Sequence, residues 1–146
     1  MPGHLLRRCH QISVAIFLEE CGEFDLTPLQ YSVLSSLKYD GVQDQITIGG
    51  HTALDRTTVA VVIENLEKRG LLERQQSERD RRSKIVRITL SGLDMIENVA
   101  KGVQQSQQRM LEPLSDSEAV LLQKLLQKMA DSNNTRSRAP QRTRRK

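Results

Sequence analysis

The side chains with the clearest chemistry in this sequence are basic and are concentrated in one stretch. Residues 51–90 contain nine Lys or Arg and six acidic residues, a local charge of +3, whereas the whole chain of 146 residues has a net charge of +4. Arg79, Arg81 and Arg82 lie almost side by side in this stretch. Because guanidinium groups bind phosphate and guanine, the stretch indicates a nucleic-acid partner. A solvated charged loop is the alternative interpretation.

The composition restricts the fold and the environment of the chain. A length of 146 residues suits one domain, and the core must be aliphatic because only 3% of the residues are aromatic and Trp is absent. Such a core favours packed helices over a large all-β fold. No apolar run approaches the roughly 18 residues of a membrane span, and no signal-peptide pattern is present. We therefore expect a soluble, cytoplasmic protein without membrane contact.

Helical spacing of apolar residues and turn signals predict the elements that position the basic side chains. Gly49 and Gly50 predict a short, weak helix over residues 46–54, because each glycine lowers helix propensity. Asp55 is the expected N-cap of the next helix, and Gly70 is its expected end. The other predicted elements are helices over residues 5–22, 27–40, 91–111 and 115–131 and a hairpin of strands 71–75 and 84–90.

This order of elements places a two-helix unit beside a basic hairpin, which is typical of a winged helix-turn-helix that binds duplex DNA. The predicted fold is mostly α, an α+β winged helix-turn-helix with about six helices and a two-stranded hairpin wing. The N-terminal end and outward face of the Asp55-capped helix should reach the base edges. Completion of the helix cap is the alternative role of Thr58. The candidate readers are Arg56, Thr57, Thr58, Val61 and Asn65.

The last predicted helix, which begins with a Ser115–Glu118 capping box, is too broadly apolar for a solvated helix. Another surface must cover its apolar side chains, which are Val120, Leu121, Leu122, Leu125, Leu126 and Met129.

Four segments carry a family resemblance. Residues 54–59 read LDRTTV, residues 66–74 read LEKRGLLER, residues 80–83 read DRRS and residues 88–92 read ITLSG. In this order they resemble the MarR family of winged helix-turn-helix regulators, and the likeness extends over about residues 5–129. The resemblance implies a homodimer in which the first, fifth and sixth helices of both chains pack together. It also implies a pseudo-palindromic operator in double-stranded DNA as the partner.

The same resemblance suggests roles for the hairpin residues. Arg82 would enter the minor groove, Asp80 would orient the wing, and Arg81 would contact phosphate. One departure from the family pattern is Gly49-Gly50-His51, which predicts an irregular or mobile first helix of the DNA motif. The complete set of predicted contacts on the hairpin is Arg79, Asp80, Arg81, Arg82 and Lys84.

The segments around residues 4–11 and 24–28 resemble the branch of the family that regulates aromatic-acid degradation. This resemblance implies a repressor released by a small aromatic carboxylate bound between the dimerisation helices and the DNA-binding lobe. A carboxylate needs a fixed guanidinium and a ring donor, which Arg7 with His10, or Arg8 with His4, would supply. Solvated arginines and a structural histidine are the alternative. The predicted effector residues are Arg7, Arg8, His10, Tyr31 and His51.

A second class of function is a redox-sensing repressor that uses Cys9 or Cys21. An inert buried thiol is the alternative for Cys9, which lies on the apolar stripe of the first helix. An enzyme has little support, because the three histidines lack metal-ligand spacing and neither a nucleophile elbow nor a phosphate-binding glycine loop is present. We expect no catalytic residues, no metal and no cofactor.

The chain ends in a basic tail. Residues 135–146 hold six basic residues and no acid. Because the tail has almost no apolar side chains, it is predicted to be disordered, after a single domain over residues 1–134 with its winged helix-turn-helix at about 27–90. Electrostatic coating of DNA, independent of sequence, is a conceivable role for this tail.

Overall fold

The structure is a computed structural model that describes residues 1–144. Within this range the predicted six helices and winged helix-turn-helix are confirmed. The α-helices are α1 (Pro2–Cys21), α2 (Pro28–Asp40), α3 (Gln45–Thr52), α4 (Arg56–Lys68), α5 (Leu90–Leu111) and α6 (Asp116–Ser132). The strands are β1 (Gln43–Asp44), β2 (Leu72–Gln76) and β3 (Lys84–Ile88), and short 3-10 turns occupy Gly22–Phe24 and Asn134–Arg136.

The predicted hairpin is formed by β2 and β3, and β1, which the sequence did not indicate, adds a third antiparallel strand in the order β1-β3-β2. Gln43 of β1 pairs with Val86, and Leu72 of β2 pairs with Ile88. Strand β1 has only two residues and follows a turn at Gly41 with φ +72. Two residues are too few to show the alternation by which strands are found in a sequence.

The chain forms two compact units. The first contains residues 1–28 and 98–132, and the second contains residues 29–97 and, of the described C-terminal residues, 133–144. The first unit thus holds α1, most of α5 and α6, which are the helices assigned to dimerisation by the family resemblance. The second unit holds the winged helix-turn-helix.

Helix α4 packs through one face into the second unit. Its predicted apolar stripe of Val59, Val62, Ile63 and Leu66 is buried, with Ile63 and Leu66 at 0% exposure. Thr58 donates its backbone N–H to the Asp55 carboxylate at 2.8 Å, which confirms the predicted N-cap. The cap satisfies one of the N–H groups that every helix leaves unpaired in its first turn. The start and the buried face of this helix are therefore both fixed.

In the first unit, α1 and α5 approach closely. A side chain at the buried Gly102 of α5 would begin 2.6 Å from the carbonyl oxygen of Glu20. Arg109, two turns further along α5, binds the carboxylates of Glu19 and Glu20 at 2.9 and 2.6 Å. The absence of a side chain at residue 102 is thus what allows the two helices to pack here.

The apolar side of α6 is exposed along the whole helix, which has no buried residue. Val120, Leu121 and Leu125 each expose more than half of their surface. Helix α1 also exposes apolar side chains, namely Leu5, Leu6 and Ile12. Large apolar side chains exposed along a helix in this way are typical of an interaction site.

The C-terminal segment differs from the predicted disordered tail. Residues 134–144 pack on the second unit, where Arg142 and Gln141 hydrogen bond with backbone carbonyls of α3. The expectation of disorder was based on the lack of apolar side chains that could be buried. In the structure, hydrogen bonds to backbone carbonyls hold this segment instead. Arg145 and Lys146, the last two residues of the predicted tail, lie outside the described residues.

No helix in residues 1–144 is both long and apolar enough to cross a bilayer.

The close approach at Gly102 generates a prediction of stability. We expect Gly102→Ala to lower the free energy of unfolding by about 1–3 kcal/mol, because its methyl group would overlap the Glu20 carbonyl. Gly3→Ala is the control, since nothing lies within 4 Å of a methyl group there. Urea denaturation of both variants measures the difference. Equal stability of the two variants would contradict this account of the helix packing.

Candidate nucleic-acid interface

The N-terminus of α4 presents its first side chains to solvent. The Asp55 carboxylate caps the helix, and the N–H and hydroxyl of Thr58 hold the pKa of Asp55 below its usual value. The Thr58 hydroxyl therefore completes the helix cap, which is the alternative to base contact given for this residue in the sequence analysis. Arg56 and Thr57 are exposed and have no such constraint. They are the two residues at this end that can reach a groove.

The outward face of α4 continues this exposed surface. Val61 is 52% exposed and Asn65 is also exposed, whereas their neighbours Val62 and Leu66 are buried. The face therefore offers an apolar side chain for a thymine methyl group and an amide for a base edge.

The turn between β2 and β3 is held by Asp80. Its carboxylate accepts the backbone N–H of Arg82 at 2.9 Å and the hydroxyl of Ser83 at 3.2 Å. Gln76 donates to the carbonyl oxygen of Arg81 at 2.7 Å and braces the other side of the turn. The side chains of Arg79, Arg81 and Arg82 remain exposed. Asp80 thus fixes the backbone that carries the three guanidinium groups.

An ion pair that sequence reasoning missed ties the wing to α4. Glu67, in the last turn of α4, accepts the Nε of Arg74 at 3.2 Å and a terminal guanidinium nitrogen at 2.9 Å. It also accepts the backbone N–H of Arg74 at 3.1 Å. The Arg74 guanidinium lowers the pKa of Glu67, and the carboxylate in turn raises the pKa of Arg74. The only signal in the sequence is an acid and a base seven residues apart across the Gly70 turn.

Side chains from the helix and the hairpin meet in one cleft of about 540 Å³. Arg56 enters it from α4, and Arg82 and Lys84 enter it from the hairpin. Neither the Arg56 nor the Arg82 guanidinium has a hydrogen-bond or ion-pair partner among residues 1–144. Arg79 and Arg81 lie outside the residues that line the cleft, as do Val61 and Asn65. The cleft thus combines unpaired cations from two elements, an arrangement that suits phosphate.

The predicted effector residues are divided between the two units. Arg7, Arg8 and His10 lie exposed on α1 in the first unit, and Tyr31 and His51 belong to the second. Arg7 approaches Nδ1 of His4 at 3.5 Å and Oε1 of Gln11 at 3.4 Å, so its neighbours along the helix are not the predicted His10. Neither unit by itself gathers the full set.

His51 is fixed by polar partners inside the second unit. Its Nδ1 lies 2.9 Å from Oε1 of Gln43 and 3.5 Å from Oδ2 of Asp40. The amide of Gln43, itself buried, donates to the carbonyl oxygen of Ser36 at 3.1 Å. The histidine of the glycine-rich segment therefore connects α3 to β1 and α2. Helix α3 itself is regular and is capped by Asp44, which accepts the N–H of Thr47 at 2.7 Å.

The two thiols have opposite environments. Cys21 is fully buried, and burial raises its pKa above the ordinary value. Cys9 is exposed, so the expectation of a buried thiol at this position is wrong for the single chain. The reason is that the apolar stripe around Cys9 is itself uncovered, as Leu5, Leu6 and Ile12 show. Within residues 1–144, no group of three or more His, Cys, Asp or Glu side chains could hold a metal ion.

A capped recognition helix, a braced basic wing and a cationic cleft between them define a winged helix-turn-helix DNA-binding protein. Comparison with known proteins makes the class more specific. The family model described as "MarR family" matches residues 26–84 of this chain. The chain is 32% identical to the HTH-type transcriptional repressor NicR of Pseudomonas putida over 131 residues, which is 90% of this chain and 83% of that protein. The chain therefore belongs to the MarR family of transcriptional regulators.

Two solved structures extend the comparison. BpsR of Bordetella bronchiseptica, whose DNA binding is regulated by 6-hydroxynicotinic acid, is 36% identical, with a TM-score of 0.82 over 88% of this chain and 97% of that one. PcaV of Streptomyces coelicolor, in complex with its natural ligand, is 33% identical, with a TM-score of 0.84 over 90% of this chain and 92% of that one.

The ion pair between wing and helix generates a prediction. We expect Arg74→Met to lower the free energy of unfolding by about 0.5–1.5 kcal/mol at neutral pH, because Glu67 loses a two-point partner in a partly exposed setting. Because the pKa of Glu67 is lowered in the folded state, the pair stabilises fully above the ordinary glutamate pKa. This stabilisation is lost as the pH falls through the lowered value.

Lys68→Met is the matched control, since Lys68 forms an exposed pair with Glu64 at 3.0 Å. Such an exposed helical pair is screened by solvent and contributes little to stability. Denaturant titrations at neutral and acid pH measure both variants. If the two losses are equal, or if the loss at Arg74 persists in strong acid, the ion pair does not hold the wing.

Proposed function

We propose that the protein is a homodimeric repressor that binds a pseudo-palindromic operator in double-stranded DNA and is released by a small aromatic carboxylate. The observation that carries the DNA-binding part is the cleft lined by both Arg56 and Arg82, whose guanidinium groups have no partner among residues 1–144. An unpaired cation keeps its full charge for a phosphate and requires no existing ion pair to be broken.

The proposed contacts divide into three kinds. Arg56, Thr57, Val61 and Asn65 read base edges in the major groove, with Thr58 supporting the helix start. Arg82 enters the minor groove, whose narrow A·T-rich form attracts guanidinium groups. The remaining hairpin residues hold the position, since Arg79, Arg81 and Lys84 neutralise phosphates and Asp80 fixes the turn.

Dimerisation is supported by the uncovered apolar surface of α1 and α6. Side chains such as Leu121 and Leu125 are more than half exposed in the single chain. A second copy would bury this surface on both chains. Two recognition helices must then match half-sites about 34 Å apart, one turn of duplex DNA.

The effector class is supported by the relatives and by the exposed basic side chains of α1. The DNA binding of BpsR is regulated by 6-hydroxynicotinic acid, an aromatic carboxylate. Arg8 and His10 are exposed on α1, and we propose that they bind such a group together with Arg7 of the same helix. A ligand that prefers dimers with misplaced recognition helices by about 1–3 kcal/mol would reduce operator binding several-fold to a hundredfold.

Redox sensing through Cys21 is not favoured by the structure. The thiolate is the reactive form, and burial raises the pKa of Cys21 and disfavours its thiolate. The relatives with known ligands point to a small molecule instead.

The proposed DNA contact is tested at the wing. The probe is a duplex that the wild-type protein selects from a randomised pool, and anisotropy titration measures binding. We expect Arg82→Ala to cost about 1–3 kcal/mol on the selected duplex, and Arg56→Ala to relax the preference at one base position. Two chains should bind each duplex.

Arg87→Ala is the control for Arg82→Ala, because Arg87 is an exposed guanidinium on β3 outside the cleft. Equal losses for both variants, or equal losses on the selected and a scrambled duplex, would show that the wing contributes only net charge.

The effector proposal is tested with defined ligands. Benzoate, hydroxybenzoate, nicotinate, 6-hydroxynicotinate and phenylpropenoates are screened by thermal shift, because a ligand of the native dimer raises Tm by mass action. We expect Arg7→Ala or Arg8→Ala to leave operator binding intact and to blunt release by the active acid. Lys124→Ala, an exposed cation on α6, is the control. Unchanged release in both arginine variants would rule out this site.

A further inference from the structure

The residues from Asn134 to Arg144, here called the C-terminal arm, dock on the winged helix-turn-helix by specific contacts. The arm is closed by two hydrogen bonds between Asn134 and Gln141, each 2.8 Å long. It carries four guanidinium groups, those of Arg136, Arg138, Arg142 and Arg144. These charges are therefore attached to a backbone of defined conformation.

The arm is anchored on the C-terminal end of α3. Arg142 donates its backbone N–H to the carbonyl oxygen of Gly50 at 2.8 Å, and the Gln141 side chain donates to the carbonyl oxygen of His51 at 3.1 Å. The last four carbonyls of a helix have no partner within the helix. The arm thus satisfies two acceptors that α3 leaves open.

Gly50 is shaped for this contact. A side chain at Gly50 would begin 2.9 Å from Cδ, 3.1 Å from Cγ and 3.3 Å from Cβ of Arg142. Because the contact runs along the whole stem of Arg142, the arginine could not avoid a methyl group by moving its tip alone. Nothing in the sequence explains a glycine at residue 50 of α3. The structure shows that a glycine there leaves room for the arm.

The charges of the arm are divided between anchoring and the cleft. Arg138 pairs with the Asp55 carboxylate at 3.3 Å, and Arg144 pairs with Asp40 at 2.9 Å. Arg142 lines the same cleft as Arg56 and Arg82. Its guanidinium has no hydrogen-bond or ion-pair partner in the part of the chain that the structure describes. The arm thus adds a third unpaired guanidinium to the cleft.

We propose that the C-terminal arm is a fixed part of the DNA-binding face, in which Arg142 binds a backbone phosphate beside the groove that α4 enters. This inference rests on the proposed function. Arg138 assists by neutralising Asp55, the carboxylate at the start of α4 that would otherwise repel a phosphate. A segment that blocked the cleft by mimicking DNA would have to be acidic, whereas this arm is basic.

The first test compares two arginines of the arm. Arg142→Gln and Arg136→Gln each remove one charge, but only Arg142 lines the cleft. On the duplex selected by the wild-type protein, we expect Arg142→Gln to weaken binding about threefold to tenfold and to reduce the slope of log K against log salt by about 1. Arg136→Gln should change affinity less than about twofold and leave the slope nearly intact.

The second test detaches the arm without removing a charge. We expect Gly50→Ala to weaken binding as Arg142→Gln does, with Gly3→Ala as the control for a helical Gly→Ala change. The double variant Gly50→Ala/Arg142→Gln should bind like either single variant, because both act through one contact. Circular dichroism and Tm establish that each variant is folded, and Arg142→Gln remains decisive because glutamine keeps Cβ and Cγ of the stem that packs on Gly50 and removes the exposed guanidinium.

Equal losses for Arg142→Gln and Arg136→Gln would overturn the proposal, because the arm would then act only through net charge. Tighter binding by Arg142→Gln or Gly50→Ala would also overturn it and would identify the arm as a block. Failure of the proposed function is distinct from both, since the wild-type protein would then select no duplex at all. Selection with an unaffected Arg142→Gln variant overturns only the role of the arm.

Discussion

The DNA-binding face depends on the hydrogen bond from the Thr58 amide to the Asp55 carboxylate, because this bond fixes the residue at which α4 begins. It sets the first turn of α4, so Arg56 and Thr57 face solvent while Val59 and Ile63 enter the core. A helix start displaced by one residue would rotate these side chains by about 100° and bury the readers. The cap also places a carboxylate beside the cleft, and this local negative charge is what the Arg138 guanidinium neutralises.

The hairpin is useful only if it is held in a fixed relation to α4, and two carboxylates perform this work within the second unit. Glu67 binds the Arg74 backbone and guanidinium at the base of the wing. Asp80 binds the Arg82 amide at its tip. Either acid could pair with a nearby arginine in place of phosphate. Instead, Glu67 binds Arg74 at the base of the wing, and Asp80 binds a backbone amide and a hydroxyl. The guanidinium groups at the tip therefore have no ion-pair partner among residues 1–144. The arrangement preserves positive charge where DNA would approach.

Apolar and ionic features are separated between the two units. The first unit exposes apolar side chains on both α1 and α6, which suit a second copy of the chain. The second unit exposes cations without partners among residues 1–144, which suit a polyanion. A single chain therefore carries two incomplete surfaces of different chemistry. A ligand that alters how two chains associate can change DNA binding without contacting the DNA-binding residues. The proposed release by a small acid would work in this way.

The sequence by itself determined the local structure. Helical periodicity and the Asp55 and Ser115 caps depend on residues only a few positions apart, and all are present in the structure. Only the tertiary structure decided which distant charges meet. The Glu67–Arg74 pair, the two-residue strand β1 and the arm on Gly50 depend on chain segments brought together by folding. No spacing rule within the sequence encodes such contacts, because their stability comes from the geometry of the partner segment.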